Sequence, residues 1–178
     1  MAVLRFLFYA AFSCLIIFAG NAGAVEKYSE YQVKATFLYN FISFVEWPQS
    51  TENRGSITVC TFGETPVFSN LAAFDGDKVR GKTVEIERIK TINEADKCDV
   101  LFLAVSERDK ARKLLSHIKN LPVLSVSDIP GFVESGGIIQ FVEEGSKVRF
   151  KINLNAAKDA GLKISSRLLK IAYIVGEK

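Results

Sequence analysis

The stretch 99–105, DVLFLAV, is apolar at every position after its aspartate. A strand with one wet face alternates apolar and polar residues, so a strand without alternation is covered on both faces. That is the setting of a central strand in a parallel sheet, with helices packed above and below. The following residues agree. Ser106 and Asp109 give an S-x-x-D capping pattern opening a helix that reaches about residue 119, and 123–126 reads as the next strand. A strand–helix–strand unit of this kind is parallel and right-handed.

Upstream, the spacing predicts a helix over 30–46. At 100° per residue Val33, Phe37, Phe41 and Phe44 share one face, Leu38, Ile42 and Val45 widen it, and Tyr39, Asn40 and Ser43 fall on the more polar side. The apolar arc covers about half of the circumference, more than a surface helix needs, which wedges this helix between the sheet and another element. Pro48 stops it. Tyr39 and Trp47 are candidate contact residues here, with core packing the competing role for Trp47. Strands are expected at 56–61 and 84–89, and a short helix at 66–74. Beyond a turn at 128–131, the segments 138–142 and 147–152 flank Glu143-Glu144-Gly145-Ser146 as an antiparallel hairpin. Two helices close the chain. One covers 154–160 and ends at Gly161, and the other carries Ile164, Leu168, Ile171, Ala172 and Val175 on one stripe. The expectation is a single α/β domain with a mixed parallel and antiparallel sheet, flanked by helices on both faces.

The first 24 residues read as an export signal. Arg5 is their only charge, 6–19 is an apolar run interrupted only by Ser13, and Ala22-Gly23-Ala24 supplies an A-x-A cleavage site. The run is shorter than the roughly 20 residues of a membrane-spanning helix. Cleavage after Ala24 leaves 25–178 as one domain in the periplasm, an oxidising compartment without ATP. The formal net charge is +3, of which Arg5 supplies one unit, and acids and bases are mixed along the chain. No block of like charge offers a nucleic-acid groove, so no nucleic-acid partner is expected.

Cys14 leaves with the signal, and the remaining even pair, Cys60 and Cys98, favours a disulfide in an exported domain. Closing a loop of about 38 residues contributes near 4 kcal/mol in the chain-entropy model, as an upper figure. Two unconnected buried thiols are the alternative. His117 is the only histidine and lies within a helical pattern, so neither a metal site nor a Ser–His–Asp triad is expected. No nucleophile elbow, Walker loop or dinucleotide fingerprint is present, and no cofactor or enzymatic activity is expected. The pair Gly136-Gly137 suits an anion cradle and a simple turn equally well. In open α/β sheets ligands bind outside the carboxyl ends of the parallel strands. Those ends carry Phe62, Gly63, Ser106, Ser127 and Asp128, the candidate ligand or partner site; Ser106 also reads as a helix cap and Asp128 as a turn former.

Five stretches carry a resemblance: YQVKATFLYNFISFVEWP at 31–48, CDVLFLAVS at 98–106, PVLSVSDIPGF at 122–132, GGIIQF at 136–141 and VRFKINLNAAKDAGLKISSRLLKIA at 148–172. In this order and spacing the chain resembles the YfiR-like family of bacterial periplasmic proteins. The resemblance implies regulation by binding. Such proteins restrain a membrane-bound diguanylate cyclase by contacting its periplasmic sensor domain, and an outer-membrane peptidoglycan-binding lipoprotein sequesters them and frees the cyclase. The output is control of cyclic di-GMP and biofilm formation. Cys60 and Cys98 look like the family's first cysteine pair, but no cysteine follows Cys98, so the second pair and the redox control tied to it are not expected. The partner is a cyclase or a related sensor, engaged by an extensive contact or by a homodimer. A small-molecule receptor feeding signalling or uptake is the alternative.

Overall fold

The run at 99–105 becomes a strand with no wet face. In the computed structural model, which describes residues 29–49 and 53–176, all four residues of that strand are buried, and the expected export signal lies outside the described residues. In chain order the elements are α1 (Glu30–Phe44), β1 (Val45–Glu46), β2 (Ser56–Phe62), α2 (Pro66–Leu71), β3 (Lys78–Val79), β4 (Lys82–Ile89), β5 (Val100–Leu103), α3 (Ala111–His117), β6 (Leu124–Ser127), β7 (Ile139–Glu144), β8 (Lys147–Asn153), α4 (Leu154–Asp159), β9 (Lys163–Ile164), α5 (Ser166–Leu169) and β10 (Tyr173–Val175). The described residues form an eight-stranded sheet in the order β10-β8-β7-β6-β5-β2-β4-β3. The block β7-β6-β5-β2-β4 is parallel, the β7–β8 hairpin and β3 are antiparallel to their neighbours, and β10 lies parallel to β8. This is the mixed α/β domain that the sequence predicts.

Period-two alternation within the parallel strands divides the interior into two cores. Ile57, Val59, Val100, Phe102, Leu124 and Val126 pack with Leu38, Phe41 and Ile42 of α1 on one side. Cys60, Phe62, Leu101 and Leu103 pack with Leu114, Leu115 and Ile118, at and just beyond α3, on the other. Cys60 and Cys98 are joined in this second core, with their Cα atoms 5.8 Å apart, inside the range a disulfide requires. At the entry to β5, the Asp99 carboxylate is buried, accepts the Thr58 N–H at 2.8 Å and pairs with Arg54. Desolvation pushes this carboxyl above the ordinary aspartate range in spite of both contacts.

Helix α1 starts at a capping box: the Ser29 hydroxyl accepts the Gln32 N–H and the Gln32 side chain accepts the Ser29 N–H. It ends two residues before the predicted boundary, because Val45 and Glu46 pair with Ile164 and Lys163. The buried stripe is also rotated from the predicted one. Lys34, Ala35, Leu38, Phe41 and Ile42 are buried, whereas Val33, Phe37 and Phe44 are only partly so. Phe37, Phe41, Phe141 and Phe150 form a ring cluster with centroid separations of 5.3–6.1 Å.

Three further expectations are corrected. The last predicted helix is not continuous: Ile164 lies in β9 and Val175 in β10, leaving a single helical turn at α5. Backbone pairing with β1 and β8 wins there over an apolar spacing that suits a helix. Ser106 does not cap a helix. The segment 105–110 is a 3-10 turn preceded by Ala104 at the N-cap position, with no side-chain cap. Tyr39 is not solvent-facing but half-buried, its ring stacked on Phe74 at 4.3 Å.

Truncating Phe41, fully buried in the ring cluster, is expected to cost about 3–5 kcal/mol. Phe37→Ala and Tyr39→Ala are expected to cost less, since each side chain keeps one face at the surface. Urea denaturation of the three variants checks this ranking, and equal losses would contradict it.

Candidate functional site

Of the candidate residues at the carboxyl ends of the strands, four build the edge itself. The Ser127 hydroxyl donates to the Leu103 carbonyl at 2.8 Å and accepts the Ile129 N–H at 3.0 Å. Phe62 is buried beneath the Lys110 ammonium, 5.3 Å from its ring centroid. Gly63 has φ +95°, and a Cβ there would come 2.5 Å from the Glu107 side chain. The Ser106 hydroxyl donates to the Glu64 carbonyl at 3.3 Å. Tyr39 is held elsewhere against Phe74, and Trp47 lies in the core at 6% exposure, its indole N–H without a partner among the described residues.

Asp128 is different, because it faces a buried lysine. Lys34, on the first turns of α1, is 3% exposed at its side chain, places Nζ 2.9 Å from Asp128 Oδ2, and also pairs with Glu30 one turn earlier. The remaining Asp128 oxygen, Oδ1, is buried without a partner among the described residues. Glu143, near the end of β7, lies close enough to interact electrostatically with Glu30, Lys34 and Asp128. Three carboxylates thus surround one ammonium. Hydrogen bonding from Lys34 holds Glu30 below the ordinary glutamate range. Burial works to lower Lys34, but the hydrogen bonds to Glu30 and Asp128 outweigh it and the amine stands above its ordinary value. The contact with Glu30 raises Glu143.

Two adjoining hollows of about 320 and 300 Å³ share Lys34, Asp128 and Glu143. The second is also lined by Tyr31 and Val105, 39% and 53% exposed, and by Glu64 and Thr65. A lysine held protonated is no nucleophile or Schiff-base former, so this arrangement offers a charged, acid-rich binding surface edged by exposed apolar side chains. Among the described residues, no group of three His, Cys, Asp or Glu side chains is placed to hold a metal ion, and no helix is long and apolar enough to cross a membrane. The sequence reading missed Lys34, Glu30 and Glu143. The available signal was that Lys34 shares a helical stripe with Leu38, Phe41 and Ile42.

A profile of the YfiR/HmsC-like family matches residues 31–173. The chain belongs to that family. It falls, coarsely, among periplasmic regulators. Two solved structures share the fold. One is an ABC domain in complex with L-Trp from Streptococcus pneumonia, at 14% identity and a TM-score of 0.51, covering 78% of this chain and 59% of that one. The other is a conserved domain protein from Vibrio cholerae, at 12% identity and a TM-score of 0.50, covering 82% of this chain and 60% of that one. The chain therefore spans less than two thirds of either protein, and at these identities the likeness shows the fold alone.

Replacing Lys34 with methionine leaves Asp128 and Glu30 without their cation. The expected loss is about 1–3 kcal/mol, below the figure for a fully buried pair because both carboxylates keep some hydration. Glu30 is depressed in the folded state, so its contribution is present above the ordinary glutamate value and lost as pH falls through the lowered one. Chemical denaturation of wild type and Lys34→Met between neutral and acidic pH checks both points: the gap between them should narrow as pH falls through that window.

Proposed function

We propose that this domain is a periplasmic regulatory binding protein that represses an inner-membrane diguanylate cyclase, or a related sensor protein, by contacting its periplasmic sensor domain. The observation that carries this reading is the family match across 31–173. The Cys60–Cys98 bond supports export, since such bonds persist in oxidising compartments. The cleft around Lys34 supports binding rather than catalysis: its carboxylates present negative charge, and Tyr31 and Val105 offer exposed apolar surface beside it. On this reading the partner contacts this cleft.

Moving a two-state sensor from 1:99 to 99:1 requires about 5.5 kcal/mol of differential affinity. The contact is therefore extensive, or made by a homodimer engaging two sensor domains at once. An outer-membrane peptidoglycan-binding lipoprotein that competes for the same domain would free the cyclase. The cellular output is lower cyclic di-GMP and less biofilm.

Deleting the gene is expected to raise cyclic di-GMP and biofilm, and an exported copy is expected to restore both. A copy lacking residues 1–24 is expected to fail. Exported Tyr31→Ala and Val105→Asp copies are expected to restore repression poorly while folding stability stays within about 0.5 kcal/mol of wild type, as for other surface changes. Unchanged cyclic di-GMP on deletion, or full complementation by the leaderless copy, would overturn the proposal.

A further inference from the structure

A separate cavity of about 360 Å³ lies at the opposite, amino-terminal edge of the parallel strands, between the end of α3, the start of α4 and the loop 131–138. Its volume falls within the range of small-molecule sites. Part of its wall is fixed. The Asn153 side chain donates to the Val133 carbonyl at 2.8 Å and accepts the Ala156 N–H at 3.0 Å. Behind that wall, outside the lining, Phe132 packs against the Gly137 backbone, where a Cβ would sit 2.2 Å from its ring. Gly137 thus serves packing, whereas Gly136, at φ +100°, serves the turn.

The chemistry of the lining is specific. Arg112 and Lys119 border the cavity and make no ion pair among the described residues, and the single carboxylate on the wall is Asp159. Ser125 is 3% exposed. Its oxygen accepts the Ile138 N–H at 3.0 Å, and its own proton has no acceptor among the described residues. Asn155 donates to the Gly176 carbonyl and keeps its side-chain oxygen available, while Ser116 and Asn120 add further neutral polar groups. Leu115, Ile118 and Val123 supply an apolar floor, and no aromatic side chain lines the space.

We propose that this cavity binds a small hydroxylated carboxylate, a sugar acid of hexuronate size. Arg112 and Lys119 hold its carboxylate through charge-assisted hydrogen bonds. The Ser125 hydroxyl donates to a ring or hydroxyl oxygen, the neutral side chains take the remaining hydroxyls, and the C–H face of the ring rests on the leucine, isoleucine and valine. A simple inorganic anion would leave the floor and the neutral groups unused, and a flat aromatic ligand would find nothing to stack on. The site does not depend on the partner contact at Lys34.

Titration calorimetry of the purified full chain tests this, with D-glucuronate and D-galacturonate as probes and D-glucose, acetate and L-leucine as comparisons. At least one uronate is expected to bind, with each comparison compound about tenfold weaker or more, since each lacks a charge-assisted or hydroxyl contact. Arg112→Gln, at an exposed position, is expected to weaken uronate binding about 10- to 100-fold with an unchanged melting temperature. Absence of heat with either uronate at millimolar concentration, equal affinity for glucose, acetate or leucine, or an unaffected Arg112→Gln variant would each overturn the proposal. Because this assay contains no cyclase, its failure leaves the regulatory reading standing, and the deletion experiment leaves this site untouched.

Discussion

Four consecutive side chains of β5 leave water entirely, and the layering of the molecule follows from that constraint. Burying each one is worth roughly 1.5–3 kcal/mol, but only if cover exists on both sides of the strand. Helix α1 covers one face and α3 the other; α1 forms its core with alternate residues of β2, β5 and β6, and α3 forms its own with the other set from β2 and β5. Parallel neighbours cannot be joined by a tight turn, so the chain must cross over between strands. The segment from Ala104 to Val123 makes that crossing and delivers α3 to the second face. The fold is thus less a choice among many layouts than the consequence of one strand with no wet side.

Charge is placed with the same economy. Lys34 sits on a helix and Asp128 on the turn after a strand, 94 residues apart in the chain. A buried pair of this kind adds little net stability over an apolar alternative. It is satisfied in only one placement of α1 over the sheet, and so fixes where the helix starts relative to the strand ends. Arg54 and Asp99 do the corresponding work at the opposite edge, where the same carboxylate also takes the Thr58 amide and sets β5 against β2. Each end of the parallel block therefore has its own polar clamp.

Much of this was legible in the residues. The central parallel strand was readable because its apolar run is unbroken, the hairpin because its strands alternate about a Glu-Glu-Gly-Ser turn, and the helix at 154–160 because Gly161 marks a stop. Two errors share one cause. Counting Lys34 as polar turned the apparent face of α1 away from its true buried stripe, although its stem packs among apolar neighbours. Counting Ile171 and Val175 as helix-face residues extended the single turn of α5 into a longer helix; Ile171 is 58% exposed, and Val175 joins the sheet edge. In both cases tertiary pairing, not local pattern, decided. Asp128 could be placed at the cleft from the general behaviour of α/β sheets. Glu30, Lys34 and Glu143 could not, because three distant segments converge there and a single sequence does not reveal that convergence.

The bond between Cys60 and Cys98 encloses α2, β3 and β4, the whole outer flank of the sheet on that side. In a molecule pulled from its two ends, force passes straight from one sulfur to the other and the enclosed flank carries no load. With 38 residues bypassed, the fully stretched chain is shorter by about 130 Å than its reduced form. A protease that nicks the chain once anywhere within that ring opens a loop but releases no fragment, so both halves of the cut protein stay together as one molecule.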